Sequence, residues 1–110
     1  MTNEHDTPFH FLEKWNNTDF TIIIRRHAFE MMYSRNVSEE EIEMVIRTGE
    51  IIEYYPDDHP FPSALLYGDF EDRLLHVVAA FNQIGKEIII ITAYEPDEDH
   101  FELGKIRRKL

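Results

Sequence analysis

Ser38 and Glu41 stand three residues apart as S-x-x-E and define the start of a helix more tightly than any other residues in the chain. In a capping box the serine hydroxyl accepts from the backbone N–H of the third helical residue. The glutamate turns back to the serine N–H, so two orphaned donors are satisfied together. Val37 and Ile42 sit where a hydrophobic staple belongs. Ile42, Val45 and Ile46 give this helix a buried stripe, and Gly49 is placed to end it with a left-handed residue.

Beyond Gly49 the apolar period changes from helical to extended. Residues 50–55 read as a strand that stops at the turn-rich Pro56-Asp57-Asp58-His59-Pro60-Phe61-Pro62. Strands over 63–70, 73–81 and 86–94 are separated by Glu71-Asp72 and by Asn82-Gln83-Ile84-Gly85, connections short enough for hairpins in an antiparallel meander. The last two strands are apolar on both faces, through Val77 and Val78 and through Ile88 to Ile91, which places them in the middle of the sheet. Upstream, residues 27–35 contain good helix formers without Gly or Pro, and Ile24, Ala28, Met31 and Arg35 share one helical face. The expected architecture is α+β, two N-terminal helices followed by a four-stranded antiparallel sheet. The β-branched run 20–24 suits an extra short N-terminal strand.

At 110 residues the chain fits one domain with a modest core, expected over 20–110 after an N-terminal extension, 1–19. Within that extension Phe9, Phe11, Leu12 and Trp15 suit a short amphipathic turn, and after Pro96 the stretch 97–109 is expected to be at most a short helix or tail. The absence of cysteine excludes a disulfide scaffold, a cysteine nucleophile and thiolate zinc sites. No run approaches the roughly 20 apolar residues of a membrane span, and the polar, acidic start does not resemble a signal peptide, so the expected location is the cytoplasm.

A formal net charge of −11 repels nucleic acid at long range, so a polyanion would have to be gripped by a local basic patch. Arg25 and Arg26 form one such patch, and Lys105, Arg107, Arg108 and Lys109 form another beside the acidic Glu95, Asp97, Glu98, Asp99 and Glu102. The plainer reading of the second is a solvated, charge-patterned tail.

By residue type, the strongest candidate constellation is His27 and Arg35 on the first helix with His76 and Tyr94 on central strands. Histidine exchanges protons near neutral pH, arginine holds a phosphate or developing oxyanion, and tyrosine donates a hydrogen bond. Together they suit metal-independent cleavage of RNA, whose 2′-hydroxyl is a built-in nucleophile needing only deprotonation, phosphate stabilisation and a protonated leaving group. Eight helical residues would set His27 and Arg35 about 80° apart around the axis and roughly 12 Å along it, so they share a side but not one atom: either they grip successive phosphates, or one serves structure while the other meets substrate.

Each residue also has a structural explanation. A helix-start histidine can pack on a core edge, and Arg35 can pair with an acidic neighbour such as Glu39. His76 shares a strand face with Leu74, Val78 and Ala80, where a histidine is usually core-packed, and Tyr94 follows Thr92 and Ile90 on one face at a strand end, where packing is the ordinary role.

The six histidines show no compact ligand spacing, and His5 and His10 fall in the extension. His59 with Asp57 and Asp58 could hold a cation only loosely, and the proline-rich turn explains them. Four scattered glycines make no phosphate cradle, and neither a metal nor another cofactor is expected.

His27-Ala28, Met32, Arg35, Val37 and Ser38, the acidic-aliphatic helix, and Gly49-Glu50-Ile51-Ile52-Glu53-Tyr54 resemble a small bacterial family, domain of unknown function 4258. Tyr67-Gly68, Leu75-His76-Val77-Val78 and Ile91-Thr92-Ala93-Tyr94-Glu95-Pro96-Asp97 follow in the family's order, so the resemblance spans about residues 22–108. It implies a fold like that of the RelE and barnase-like ribonuclease toxins, whose members often stand beside a zinc-finger antitoxin. By analogy, RNA and such an antitoxin are the expected partners. On the matching positions His27, Arg35, His76 and Tyr94 would carry the chemistry, with Arg25, Arg26, Lys105, Arg107 and Arg108 as RNA contacts. The family pattern usually has arginine where Met31 stands and a Ser or Thr cap where Arg25 stands, so one cation of the implied phosphate-binding face is missing. The alternative expectation is a non-enzymatic module that binds a basic protein through an apolar surface around Phe61, Leu65 and Tyr67.

Overall fold

The computed structural model describes residues 20–96 and, beyond them, the backbone of Phe101–Glu102 and Ile106–Arg107. The amphipathic turn expected at Phe9 to Trp15, His5, His10, and the side chains of Lys105, Arg107, Arg108 and Lys109 lie outside the described residues.

Strand β1 is Thr21–Ile24, helices α1 and α2 are Arg26–Ser34 and Glu39–Thr48, and strands β2 to β5 are Glu50–Tyr55, Ser63–Phe70, Arg73–Asn82 and Glu87–Tyr94. Strands β2 to β5 form the expected antiparallel meander, with β4 central. The sheet itself differs from the expected four antiparallel strands, being five-stranded and mixed in the order β1-β5-β4-β3-β2. Strand β1 precedes both helices and lies parallel to β5, pairing Ile22 with Ile88, Ile23 with Ile89 and Ile24 with Ile90. The physical reason is burial: Ile22 and Ile24 pack against the core that contains Ile88 and Ile90, and β1 covers an edge of β5 that would otherwise be unpaired. A second correction concerns 97–109, where Phe101–Glu102 (β6) pairs antiparallel with Ile106–Arg107 (β7) instead of forming a short helix or tail.

The turn between the helices is determined locally. Asn36 adopts φ 57°, and Asn36 N donates to Tyr33 O at 3.2 Å while Val37 N donates to Met32 O at 2.8 Å. These are the two bonds of a Schellman motif, with Arg35 as the cap. The capping box follows at once: Glu41 N donates to Ser38 Oγ at 3.1 Å and Ser38 N to Glu41 Oε1 at 3.0 Å. Val37 and Ile42, the staple pair, are both buried in the core cluster.

Both helices cover one face of the sheet. Met32, Ile42, Val45 and Ile46 meet Ala64, Leu66, Leu75, Val77, Ala79 and Ile88, and each large aliphatic side chain contributes about 1.5–3 kcal/mol by burial. The buried stripe of α1 is Ala28 and Met32, while Met31 is half-buried and Arg35 exposed, so the face expected through Met31 and Arg35 is displaced. The Schellman turn brings Val37 beneath Met32, and this contact rotates Met32 rather than Met31 into the core. Gly49 also departs from expectation. Its φ of −75° and ψ of 175° are extended, and no left-handed residue ends α2. A Cβ there would lie 2.5 Å from both Tyr67 O and Val45 O, so glycine serves close approach of α2 to β3 rather than handedness.

Candidate functional site

Arg35 caps α1 and reaches across to the end of β5, where its Nη1 donates to Thr92 Oγ1 and to Ala93 O, both at 3.0 Å. Thr92 Oγ1 in turn points a weak bond at Met31 Sδ, 3.9 Å away. These contacts replace the ion pair with Glu39 considered from sequence, because the Schellman turn directs Arg35 toward the sheet instead of along α2. Among the described residues only Nη1 of the exposed guanidinium makes hydrogen bonds, which leaves its Nε and Nη2 donors available.

The residue after Ala93 is Tyr94, and register places it beside His76, which lies beside Tyr67. The three rings form a row across β5, β4 and β3: His76 to Tyr94 is 5.4 Å between centroids at 62°, and His76 to Tyr67 is 6.2 Å at 75°. Both are edge-to-face contacts, the favoured geometry for aromatic pairs. His76 has no exposed surface, while Tyr67 and Tyr94 are half-buried. The face assigned to Tyr94 needs correction. A bulge at the Val78/Ala79 step shifts the register, so Ile90 pairs with Ala79 on the helix side while Tyr94 pairs with His76 on the opposite side.

Arg35 thus lands on the two residues before Tyr94, whose ring packs on His76 on the side of the sheet away from the helices, and His27 stands apart. It is exposed in the first turn of α1, near the end of the helix away from Arg35, by about 12 Å along the axis. Arg25 precedes α1 and is exposed, without a side-chain capping bond, and Arg26 pairs with Glu30 at 3.1 Å on an open surface. Of the interaction surface expected around Phe61, Leu65 and Tyr67, Leu65 is only 1% exposed and so cannot contribute, while Phe61 and Tyr67 are half-buried. Exposed aromatics occur instead on α1: Phe29 and Tyr33, one turn apart, border an apolar groove of about 230 Å³ floored by Met32 and Val37.

Sequence reasoning missed Arg73. Its Nε donates to Glu95 Oε1 at 2.8 Å, its Nη2 to Arg35 O at 3.0 Å, and its Nη1 to Asn36 O at 2.6 Å and to both oxygens of Glu41 at 3.2 Å. The signal available was a lone arginine opening a strand, the only one between Arg47 and Arg107 in an acidic chain. Beside it a polar cleft of about 400 Å³ is lined by Ser38, Glu40, Phe70 and Glu71. Asp58 accepts a hydrogen bond from Ser63 Oγ, a turn contact, and the described residues contain no group of three or more His, Asp or Glu able to hold a metal. No described helix is long and apolar enough to cross a membrane.

The family model described as Domain of unknown function (DUF4258) matches residues 24–95. The chain belongs to this family. The matched span runs from the last residue of β1 to just past β5, so the family domain holds both helices, the meander, and all of Arg35, Arg73, His76 and Tyr94. Among curated proteins and among solved structures nothing matches.

Proposed function

We propose that this member of the family is a toxin-like, RNA-directed protein acting as a metal-independent endoribonuclease. The observation that supports the reading is an exposed arginine, Arg35, held by Thr92 and Ala93 at the end of β5, the strand end that also carries Tyr94. Arg35 is anchored through one nitrogen and keeps exposed donors, as a group that receives a phosphate and stabilises its added charge in the transition state should. Tyr94, on the other side of the same strand end, would contact a neighbouring part of the RNA. Fully buried His76 orients the Tyr94 ring instead of touching RNA. His27 would carry the proton or hold a neighbouring phosphate, with Arg25, Arg26, Lys105, Arg107 and Arg108 as further backbone contacts. A zinc-finger antitoxin would be the protein partner.

Purified chain incubated with RNA in excess chelator tests this. Cleavage should occur, and Arg35→Ala should lower it about 10²–10³-fold, the usual cost of removing a transition-state donor. His27→Ala should also lower it. Folded protein that cleaves no RNA would sink the reading.

A second reading has its own observation, the exposed Phe29 and Tyr33 beside an apolar groove. It makes the chain a protein-binding module, and pull-down at low salt with Tyr33→Ala as the control distinguishes it. Recovery of the same partners by wild type and variant would count against it.

A further inference from the structure

We infer that Arg73 is a positioning residue that places Arg35 on β5. Its guanidinium is a rigid planar fork, and two of its nitrogens straddle consecutive carbonyls, Nη2 on Arg35 O and Nη1 on Asn36 O. These are the carbonyls that a Schellman turn leaves outside the helix ladder, so without Arg73 the peptide joining Arg35 to Asn36 would have only the turn itself to orient it. The same fork is anchored on two further sides. Glu41, already holding the Ser38 N–H in the capping box, fixes it to the start of α2, and Glu95, the residue after Tyr94, fixes it to the end of β5.

Arg73 thus links the backbone from which Arg35 springs to the strand end on which Arg35 lands, and the Nη1 contacts of Arg35 with Thr92 and Ala93 follow from that frame. Its own donors are committed within the protein, and its side chain is 23% exposed, so it acts through Arg35 rather than on a ligand. The consequence for RNA rests on the function proposed above; the placement of Arg35 does not.

The test is nitrogen-detected NMR of arginine side chains in the full chain, with methyl shifts of Ile42, Val77 and Ile88 reporting the core. In wild type the Arg35 guanidinium should show slowed rotation and separate Nη signals. Arg73→Gln should collapse them to a freely rotating average while the core methyl signals stay in place, and should weaken cleavage about tenfold, through KM and kcat together. Arg73→Lys should fail to restore the Arg35 signals, because an ammonium keeps the charge for Glu41 and Glu95 but cannot span two carbonyls. If Arg73→Gln does not fold, Arg73→Lys reads the same outcome. Unchanged Arg35 signals in a folded variant would overturn the inference. Absence of cleavage in wild type would overturn the proposed function alone, since the Arg35 signals are read without RNA.

Discussion

A methyl group added at Gly49 would sit 2.5 Å from two carbonyl oxygens, neither of them the end of a flexible side chain. Gly49→Ala should therefore destabilise the chain by about 1–3 kcal/mol, the range for forced overpacking, measured as a fall in the urea midpoint without a change in slope. The position was legible as a helix end, but its reason was not, because the obstructing Tyr67 O belongs to a strand 18 residues later. Arg35 and Arg73 teach the same lesson with more consequence. Residue type marked Arg35 as a candidate, yet its partners Thr92 and Ala93 lie 57 and 58 residues away, and no local pattern selects them over Glu39.

At the scale of elements, the interhelical turn shows what local chemistry can specify. The Schellman bonds, the Ser38–Glu41 box and the Val37–Ile42 staple all join residues at most five apart. Ser38→Ala should cost about 0.5–2 kcal/mol in urea unfolding by removing the acceptor for Glu41 N–H, and a change below that range would mean the box adds little to α2. Glu41 also holds Arg73, so the start of α2 is tied to β4 by a contact that Ser38→Ala leaves in place. The Glu71-Asp72 hairpin is similarly local, with φ 49° and 64°, two left-handed residues suited to the twist of β3 and β4. The bulge near Ile91 is different: an apolar run reads as an even strand, and only pairing with β4 reveals the shift that sends Tyr94 to His76.

For the molecule as a whole, charge and topology pull in different directions. A net charge of −11 opposes RNA at a distance, while the proposed contacts are few and local. The log–log salt dependence of RNA binding should then be shallow, about −0.7 for each phosphate held, and Arg35→Ala should reduce it by about one such step. A titration of fluorescent single-stranded RNA between low and physiological salt checks this; an unchanged slope in the variant would remove Arg35 from the phosphate contacts. The sheet that carries Arg35's landing site depends on β1 covering the edge of β5. Ile22→Ala, which thins that edge, should lower the urea midpoint, and because Ile22 is only partly buried the loss should stay below the ~2–5 kcal/mol of a fully buried isoleucine.

Helix ends, hairpin turns and the meander follow from the sequence by itself, because each is settled by hydrogen bonds and apolar periods within a few residues. Tertiary structure alone decided the rest: β1 joining β5 in parallel, the bulge that turns Tyr94 toward His76, and the Arg73 fork beneath Arg35. Those features bring together groups 18 to 66 residues apart, and at such separations the choice of partner depends on which surfaces the packed core leaves adjacent, not on the residues flanking either one.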